Sequence, residues 1–314
     1  MKTAVTLPAP LLPDSGSSAA PAEASGHRTN AFVALTKPRI AVMVLFTVFT
    51  GFVAGIREST RPWTYATLVM ALLGTALVAA SASVWNQIVE RVRDARMRRT
   101  ARRPLPRGLV TVFEAGWFGT ILGLGGLVIL ALGANLVAAL VALTTFVLYV
   151  LVYTPLKPVT TVNTAVGAVP GALPPVIGWA AATGNLGIEA WSLFLIVFLW
   201  QFPHFLAIAW IHRDDYARGG HRMLPSVDPS GAITARQAVI YGLALIPAGL
   251  MPAILGMAGP FYFVGALALG LYYFVHAIQF WRGVSDASAR RLLYASFWYL
   301  PAVLSLLLLN PTPV

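Results

Sequence analysis

The sequence predicts an all-α membrane protein, a polytopic helical bundle with about nine transmembrane helices. Of the 314 residues, 58% are hydrophobic and only 11% are charged, and the mean hydropathy is +0.74. A chain of this composition is far more apolar than a soluble protein. Many of its apolar runs approach the ~20 residues that an α-helix needs to span a bilayer. Both observations indicate an integral membrane protein.

Nine apolar stretches of the sequence predict the transmembrane spans. They cover residues 39–56, 64–84, 112–132, 136–155, 163–182, 190–210, 235–255, 260–280 and 292–309. Gly171, Pro174 and Pro175 interrupt the fifth span, which a membrane permits where the helix lines a cavity. An odd number of spans places the two termini on opposite sides of the membrane.

The distribution of basic residues predicts the orientation. Of the 22 Lys and Arg residues, all but Arg57 and Arg61 fall in the N-terminal tail and in the connections that follow even-numbered spans. Cytoplasmic loops are enriched in Lys and Arg. The sequence therefore predicts a cytoplasmic N-terminus and a periplasmic C-terminus. The net charge of +11 follows from this insertion signal and does not require a nucleic-acid partner.

Residues 1–30 are rich in Ala, Pro and Ser and contain Asp14 and Glu23. This composition predicts a disordered cytoplasmic tail ahead of a membrane domain over residues 31–314. The tail has neither the apolar core of a signal peptide nor the Arg-rich, acid-poor composition of a mitochondrial presequence. A bacterial plasma (inner) membrane is therefore the simplest location. The absence of Cys excludes disulfides, thiolate zinc sites and cysteine nucleophiles.

The most informative polar pattern is the triplet Asn86, Glu90 and Asp94 near the end of the second span, here called the oxygen ladder. Its spacing places three oxygen-bearing side chains on one helix face, each about one turn from the next. Such oxygens suit Mg²⁺, which usually shares its coordination with substrate phosphates. Eight arginines crowd the same stretch: Arg91, Arg93, Arg96, Arg98, Arg99, Arg102, Arg103 and Arg107. Together they predict an anionic, metal-bound substrate.

The second long connection also carries acids among basic residues. Residues 85–108 and 211–234 are the two largest loops, and loops of this length are often functional. Asp214 and Asp215 are adjacent in the second loop, and adjacent positions on a helix point about 100° apart. At most one of the two therefore faces the oxygen ladder well.

Two non-enzymatic classes compete with this interpretation. A transporter coupled to ions usually keeps an acidic residue or His near the middle of the membrane, and only His276 qualifies here. A non-catalytic assembly scaffold would need no ladder at all. The oxygen ladder could also be a solvated helix face, although the neighbouring arginines and the nine-span pattern favour a metal site.

Several further sequence stretches, together with the oxygen ladder and its arginines, form a pattern that can be compared with known families. They are residues 35–39 (LTKPR), 96–100 (RMRRT), 102–108 (RRPLPRG), 153–157 (YTPLK), 171–179 (GALPPVIGW), 200–207 (WQFPHFLA) and 223–225 (MLP). Over residues 31–309 the chain resembles the UbiA-type intramembrane prenyltransferases, and among them the protohaem IX farnesyltransferases, or haem O synthases. The fold expected from this resemblance is the UbiA-like membrane bundle.

The sequence departs from the family pattern at two places. The first family motif usually reads Asn-x-x-x-Asp-x-x-x-Asp, so Glu90 is one methylene longer than the usual residue. The second family motif, Asp-x-x-x-Asp, falls on His212 and Tyr216 in this chain. The resemblance then points to Asp215, in an Asp-Tyr pair, as the acid that the second loop contributes.

The resemblance implies transfer of a farnesyl group from farnesyl diphosphate to the vinyl group of haem B, with addition of water, to give haem O. Haem B is then a substrate, and Mg²⁺ is the cofactor. Asn86, Glu90, Asp94 and Asp215 are the expected metal ligands and catalytic residues. The expected substrate-binding residues are Lys37, Arg39, Arg102, Arg103, Lys157, Trp200 and His204. Membrane lipid and, downstream, haem A synthase or terminal oxidase assembly factors are the expected partners.

Some assignments keep two interpretations. His204 is either a packing residue or a ligand of the haem iron. Aromatic residues near the span ends either shield a carbocation or anchor the helices at the interface; they are Trp85, Trp200, Phe202 and Phe205. Within the family, an enzyme that prenylates another acceptor such as 4-hydroxybenzoate remains the alternative. Outside it, a lipid or haem transporter remains.

Overall fold

The computed structural model describes residues 21–311, and this part of the chain is helical and contains no strand. Residues 1–20 of the expected disordered tail lie outside the described residues. Residues 21–30 belong to helix α1 (Pro21–Leu35), so helical structure begins earlier than the sequence predicted. The chain then turns at Lys37, whose φ of 50° lies in the left-handed region that non-glycine residues rarely adopt. Pro38 starts the next helix, which suits its fixed φ.

Thirteen further helices and one π-helical turn follow α1 within the described residues. In chain order they are α2 (Pro38–Glu58), α3 (Tyr65–Asp94), α4 (Val112–Gly133), α5 (Leu136–Val147), the π-helical turn (Leu148–Tyr153), α6 (Thr154–Leu156), α7 (Asn163–Ala172), α8 (Pro174–Thr183), α9 (Ile188–Ile211), α10 (Arg213–Arg218), α11 (Leu224–Val227), α12 (Ala232–Ile254), α13 (Pro260–Arg282) and α14 (Asp286–Leu309).

Nine helical segments of the described chain are long and apolar enough to cross a membrane. This confirms the predicted number of spans and a multi-pass membrane protein. The fourth span runs from α5 through the π-helical turn into α6, and the fifth consists of α7 and α8. The interruption of the fifth span falls at Leu173, between Ala172 and Pro174, where the sequence predicted it.

Helices α2 and α8 approach each other through glycines. A Cβ atom at Gly51 would lie 1.9 Å from the carbonyl oxygen of Pro175, and one at Gly178 would lie 1.9 Å from the carbonyl oxygen of Val48. Only glycine permits such backbone contact, which is a common way to pack helices in membranes. The contact fixes α2 in the bundle and with it Lys37, the residue before its first turn.

Helix α3 positions the oxygen ladder. Its 30 residues exceed the ~20 that span the hydrocarbon core, so its last turns extend beyond the apolar layer. Ser81 of α3 donates a hydrogen bond to the carbonyl oxygen of Gly119 in α4 at 2.6 Å. The Gln87 amide donates to the carbonyl oxygen of Leu35 at 2.7 Å, which joins α3 to the end of α1.

Candidate active site

The three side chains of the oxygen ladder line one cavity at the end of α3. Asn86, Glu90 and Asp94 retain only 1%, 5% and 0% of their accessible surface. Burial of two carboxylates is costly unless cations or hydrogen bonds compensate their charge. Because the three side chains are buried, the alternative interpretation of this spacing as a solvent-exposed helix face is wrong.

Each carboxylate of the ladder is paired with one cation. Lys157 Nζ lies 2.7 Å from Glu90 Oε1, and Arg103 Nη1 lies 2.6 Å from Asp94 Oδ2. Lys37 Nζ lies 3.4 Å from Asn86 Oδ1 and donates to it. Three of the predicted cationic residues therefore meet the ladder, although they come from three separate parts of the chain.

Burial lowers the pKa of Lys37 to about 7, and the charges of Arg103 and Lys157 contribute in the same direction. The two ladder carboxylates oppose this shift only in part. Near neutral pH the Lys37 amine is therefore only partly protonated. An anion that binds in the cavity would favour its charged form.

The π-helical turn places two tyrosines in the cavity. Tyr149 and Tyr153 both line it, with ring centroids 5.4 Å apart. Thr154 follows the turn, donates to the carbonyl oxygen of Tyr149 at 2.8 Å, and accepts a hydrogen bond from the Asn86 amide at 3.1 Å. The π-helical turn thus fixes the first residue of the ladder. Such turns occur mostly as single interruptions of α-helices and often at functional sites.

Sequence reasoning did not assign these tyrosines a role. Trp85, Trp200, Phe202 and Phe205, for which the sequence left open either shielding of a cation or anchoring at the interface, do not line the cavity. Phe202 stacks on Tyr241 instead, with centroids 3.7 Å apart. The signal was present in residues 153–157, where Tyr153 precedes Lys157 by one turn. The Lys157 ammonium lies 4.5 Å from the centroid of the Tyr153 ring.

The cavity has a volume of about 90 Å³. At roughly 15 Å³ for each water centre, it has room for a small ionic group and is too small for a porphyrin or a prenyl chain. The remaining lining residues are Met97, Arg99, Thr100, Tyr216, His221 and Met223. Four of its lining side chains are basic besides His221: Lys37, Arg99, Arg103 and Lys157. The arrangement suits a polyanion.

Asp215 does not join the ladder, contrary to the expectation that it completes the metal site. Its carboxylate accepts hydrogen bonds from the backbone N–H groups of Arg98 at 3.2 Å and Arg99 at 3.4 Å, and it is paired with Arg218. Asp215 does not line the cavity. These contacts hold its pKa below the usual range despite the opposing effect of desolvation, which is the largest single influence. Asp215 joins the two long loops.

The other predicted substrate-binding residues lie apart from the cavity. Arg39 and Arg102 are exposed and do not line it. Trp200 and His204 of α9 face α14, where Trp200 Nε1 donates to the carbonyl oxygen of Ser296 at 2.9 Å and His204 Nδ1 lies 2.7 Å from Ser296 Oγ. The structure thus separates the diphosphate and haem candidates that the sequence grouped together.

The ladder has the chemistry that a magnesium ion requires. Asp94 Oδ1 is buried and has no hydrogen-bond partner, which is costly unless a ligand completes it. Within residues 21–311 no three His, Asp or Glu side chains form a ready-made metal cluster. Mg²⁺ at this place would therefore share its coordination with oxygens of a bound substrate, as it commonly does.

Comparison with solved structures supports the membrane-bundle fold. A structure of digeranylgeranylglyceryl phosphate synthase superposes with a TM-score of 0.74 at 17% identity, covering 90% of this chain and 98% of that one. A UbiA homologue from Archaeoglobus fulgidus bound to GPP and Mg²⁺ superposes with a TM-score of 0.63 at 15% identity, covering 88% and 99%. At such identities the likeness concerns the fold alone.

Sequence comparison is more specific. A protein of Solibacter usitatus named protoheme IX farnesyltransferase is 45% identical over 285 residues, which covers 89% of this chain and 98% of the relative. A Koribacter versatilis protein of the same name is 44% identical and covers 88% and 92%. The model of the UbiA prenyltransferase family matches residues 44–300. The chain therefore belongs to the UbiA prenyltransferase family.

Proposed function

We propose that this chain transfers the farnesyl group of farnesyl diphosphate to a vinyl group of haem B, with addition of water, and so produces haem O. The use of a prenyl diphosphate donor is supported by the cavity in which the oxygen ladder contacts Lys37, Arg103 and Lys157. The acceptor half is supported by relatives named protoheme IX farnesyltransferase at 45% and 44% identity over nearly their whole length.

The cavity supplies what cleavage of an allylic diphosphate needs. As the C–O bond stretches, negative charge accumulates on the diphosphate, and preorganised cations that stabilise this charge lower the barrier. Lys157 and Arg103 would contact the diphosphate oxygens, and a partly protonated Lys37 would become fully charged beside them. Mg²⁺, held by Asn86, Glu90 and Asp94, would supply Lewis-acid neutralisation of the same charge. The UbiA homologue bound to GPP and Mg²⁺ supports this pairing of ligands.

Tyr149 and Tyr153 are placed to stabilise the carbon side of the breaking bond. The face of an aromatic ring attracts a cation, and the Tyr153 ring already accepts the Lys157 ammonium at 4.5 Å. A farnesyl cation formed beside the diphosphate would lie next to the same pair of rings. As the diphosphate leaves, the vinyl group of haem would attack this carbon. Water would then add to the resulting cation, which is conjugated with the porphyrin, and lose a proton to solvent, which leaves the hydroxyl group.

We place the porphyrin contact at His204. Its Nδ1 is fixed by Ser296 Oγ at 2.7 Å, which leaves Nε2 as the atom that can bind iron, the arrangement typical of histidine ligands. The rings of Phe205 and Phe297 lie edge-on to the imidazole, 5.3 and 5.4 Å away. They would provide an apolar wall for a flat ligand.

The remaining parts of the proposal concern location. We propose that the protein resides in the bacterial inner membrane with its N-terminus in the cytoplasm, because the basic residues concentrate on one side of the nine spans. The oxygen ladder would then face the compartment that contains Mg²⁺ and prenyl diphosphates. Haem O would pass from the membrane to haem A synthase or to terminal oxidase assembly.

One reaction tests the proposed function. Purified protein given haem B, farnesyl diphosphate and Mg²⁺ in ¹⁸O-water should yield a porphyrin heavier by one farnesyl group and one labelled hydroxyl, as read by mass spectrometry. The parallel reaction replaces haem B with 4-hydroxybenzoate. Prenylation of the benzoate with haem untouched would overturn the haem assignment. Absence of transfer to either acceptor would favour a lipid or haem transporter.

The haem contact has its own measurement. His204→Ala should weaken haem binding and change the absorption spectrum of the bound haem, whereas Lys157→Ala should raise the KM for farnesyl diphosphate and leave that spectrum unchanged. An unchanged haem titration in His204→Ala would assign the residue to packing against α14.

A further inference from the structure

The two long loops meet over the cavity. The carboxylate of Asp215 accepts hydrogen bonds from the backbone N–H groups of Arg98 and Arg99. Arg99 also donates to the Tyr216 hydroxyl at 3.3 Å and lies over the Tyr216 ring. Met97 packs so closely against Gly219 that a Cβ atom there would lie 2.9 Å from the Met97 sulfur. These contacts make the second loop a wall of the cavity.

A tight turn in the second loop places the side chain of His221 in the cavity. Gly220 has a φ of +69°, which glycine adopts without strain. The backbone N–H of His221 donates to the carbonyl oxygen of Tyr216 at 2.9 Å and closes the turn. The imidazole of His221 then lines the same cavity as Glu90 and Asp94 and is only 4% exposed.

His221 has an unused hydrogen-bonding atom. Its Nδ1 is buried and has no hydrogen-bond partner. Buried polar atoms are nearly always paired, and an exception calls for a missing ligand or another specific reason. Neither the ion pairs of the ladder nor the contacts of the π-helical turn involve this imidazole. Its own loop offers it an edge contact with Tyr216, at a centroid distance of 6.1 Å.

The charge of the surroundings identifies the class of ligand. Burial lowers the pKa of His221 to about 4, the nearby Lys157, Arg93 and Arg99 act in the same direction, and Glu90 opposes them. The imidazole is therefore neutral at physiological pH and carries one N–H donor. Because the cavity also contains four basic side chains, a ligand that accepts hydrogen bonds from all of them is a polyanion.

We propose that His221 donates a hydrogen bond to the diphosphate of the prenyl donor, and that it, and not Asp215, is the contribution of the second loop to the anion site. This inference rests on the proposed function only in taking the cavity as the diphosphate site. It assigns Asp215 to the junction of the loops, because both of its oxygens are occupied there. It requires neither haem nor the farnesyl chain.

The test measures binding of inorganic pyrophosphate with Mg²⁺ to the full-length protein in detergent by calorimetry. His221→Ala should raise the Kd about tenfold or more, the usual effect of losing a hydrogen bond to a charged group. His221→Gln should recover much of the affinity, because its amide also carries an N–H donor. The matched control is His212→Ala, in the same loop but outside the cavity, and its Kd should not change. A Kd for His221→Ala within about twofold of the unmodified protein, on the same scale, would overturn the proposal.

A second measurement covers the case in which His221→Ala does not fold. In protein labelled with ¹⁵N-histidine, Mg²⁺ and pyrophosphate should shift one imidazole signal that is missing from His221→Gln. Absence of any such shift would contradict the proposal. Asp215→Asn should bind as many Mn²⁺ ions per protein with pyrophosphate as the unmodified chain, as read by electron paramagnetic resonance, and loss of one ion would make Asp215 the ligand of the second loop instead.

These measurements are independent of the acceptor. If pyrophosphate binding depends on His221 but no porphyrin is farnesylated, the proposed function fails and the anion site stands. If haem is farnesylated but pyrophosphate binding does not depend on His221, the proposed function stands and the assignment of His221 fails.

Discussion

Glu90 and Asp94 each depend on a single cationic side chain in the cavity. Removing one partner of a buried ion pair leaves an uncompensated charge, which costs roughly 3–5 kcal/mol. Neutral isosteres of the carboxylates keep the shape of the site and remove the charge that would bind Mg²⁺. Substituting Glu90 by Gln and Asp94 by Asn therefore tests both roles of these carboxylates, which are pairing with a cation and binding a metal.

Glu90→Gln and Asp94→Asn should each reduce turnover by at least ~100-fold, because amide oxygens replace ionised ligands at the metal. The measurement is steady-state farnesyl transfer by purified protein, with gel filtration to show that the variants fold. Asp214→Asn is the control, because Asp214 is exposed beside Asp215 and does not line the cavity. Activity near that of the unmodified chain in either ladder variant would remove the two-carboxylate mechanism.

The buried imidazole of His221 should make stability depend on pH. Its pKa falls from 6.5 to about 4 on folding, so between these values the unfolded chain binds more protons than the folded one. The free energy of unfolding therefore decreases as pH falls from 6.5 towards 4, by roughly 3.5 kcal/mol at most from this residue, at ~1.4 kcal/mol per pKa unit. His221→Gln should show a flatter dependence of Tm on pH over this range, and a profile parallel to that of the unmodified protein would contradict the assignment.

Residue spacing predicted the ladder and failed for the second loop, for a physical reason. The i, i+4 pattern of Asn86, Glu90 and Asp94 needs only a regular helix to bring the side chains together. Asp215 lies in the six-residue helix α10, whose direction is set by contacts with another loop. His221 follows a turn at Gly220, and nothing local in the sequence shows where that turn points.

The apolar length of the helices was sufficient to predict the nine spans, and Pro174 and Pro175 were sufficient to predict the interruption of the fifth. The π-helical turn was not predictable in this way. Its sequence, LYVLVY, is as apolar as an ordinary span, and its geometry depends on Thr154 contacting both Tyr149 and Asn86. The start of α1 at Pro21 was missed because residues 21–30 are polar and carry no apolar periodicity.

The contact between α2 and α8 gives a prediction about glycine. Gly178→Ala would place a Cβ atom 1.9 Å from the carbonyl oxygen of Val48, so the two helices must separate. We expect a loss of roughly 1–3 kcal/mol or more from overpacking, visible as a lower Tm in detergent and a lower yield. Gly125→Ala in α4 is the matched control, because the added carbon would have no atom outside its own helix within 4 Å. Equal Tm values for the two variants would contradict this packing.

The asymmetric distribution of basic residues across the bundle predicts one orientation in the membrane. Alkaline phosphatase should be active when fused to the C-terminus and inactive when inserted after Gly231, because only the periplasmic side supports its folding. A fluorescent protein that folds in the cytoplasm should give the opposite pattern. Activity of the phosphatase at Gly231 would invert the topology and place the oxygen ladder on the wrong side for cytoplasmic prenyl diphosphates.

The pairing of charges inside the cavity has a consequence for selectivity. While Lys157 holds Glu90 and Arg103 holds Asp94, a metal ion arriving alone must expel cations, and an anion arriving alone must expel carboxylates. A magnesium diphosphate would make both exchanges at once, because its ion would bind the carboxylates and its oxygens would accept hydrogen bonds from the released lysine and arginine. We therefore expect the cavity to bind free Mg²⁺ and free orthophosphate weakly when each is added alone, and to bind the metal and the anion tightly only as one chelate.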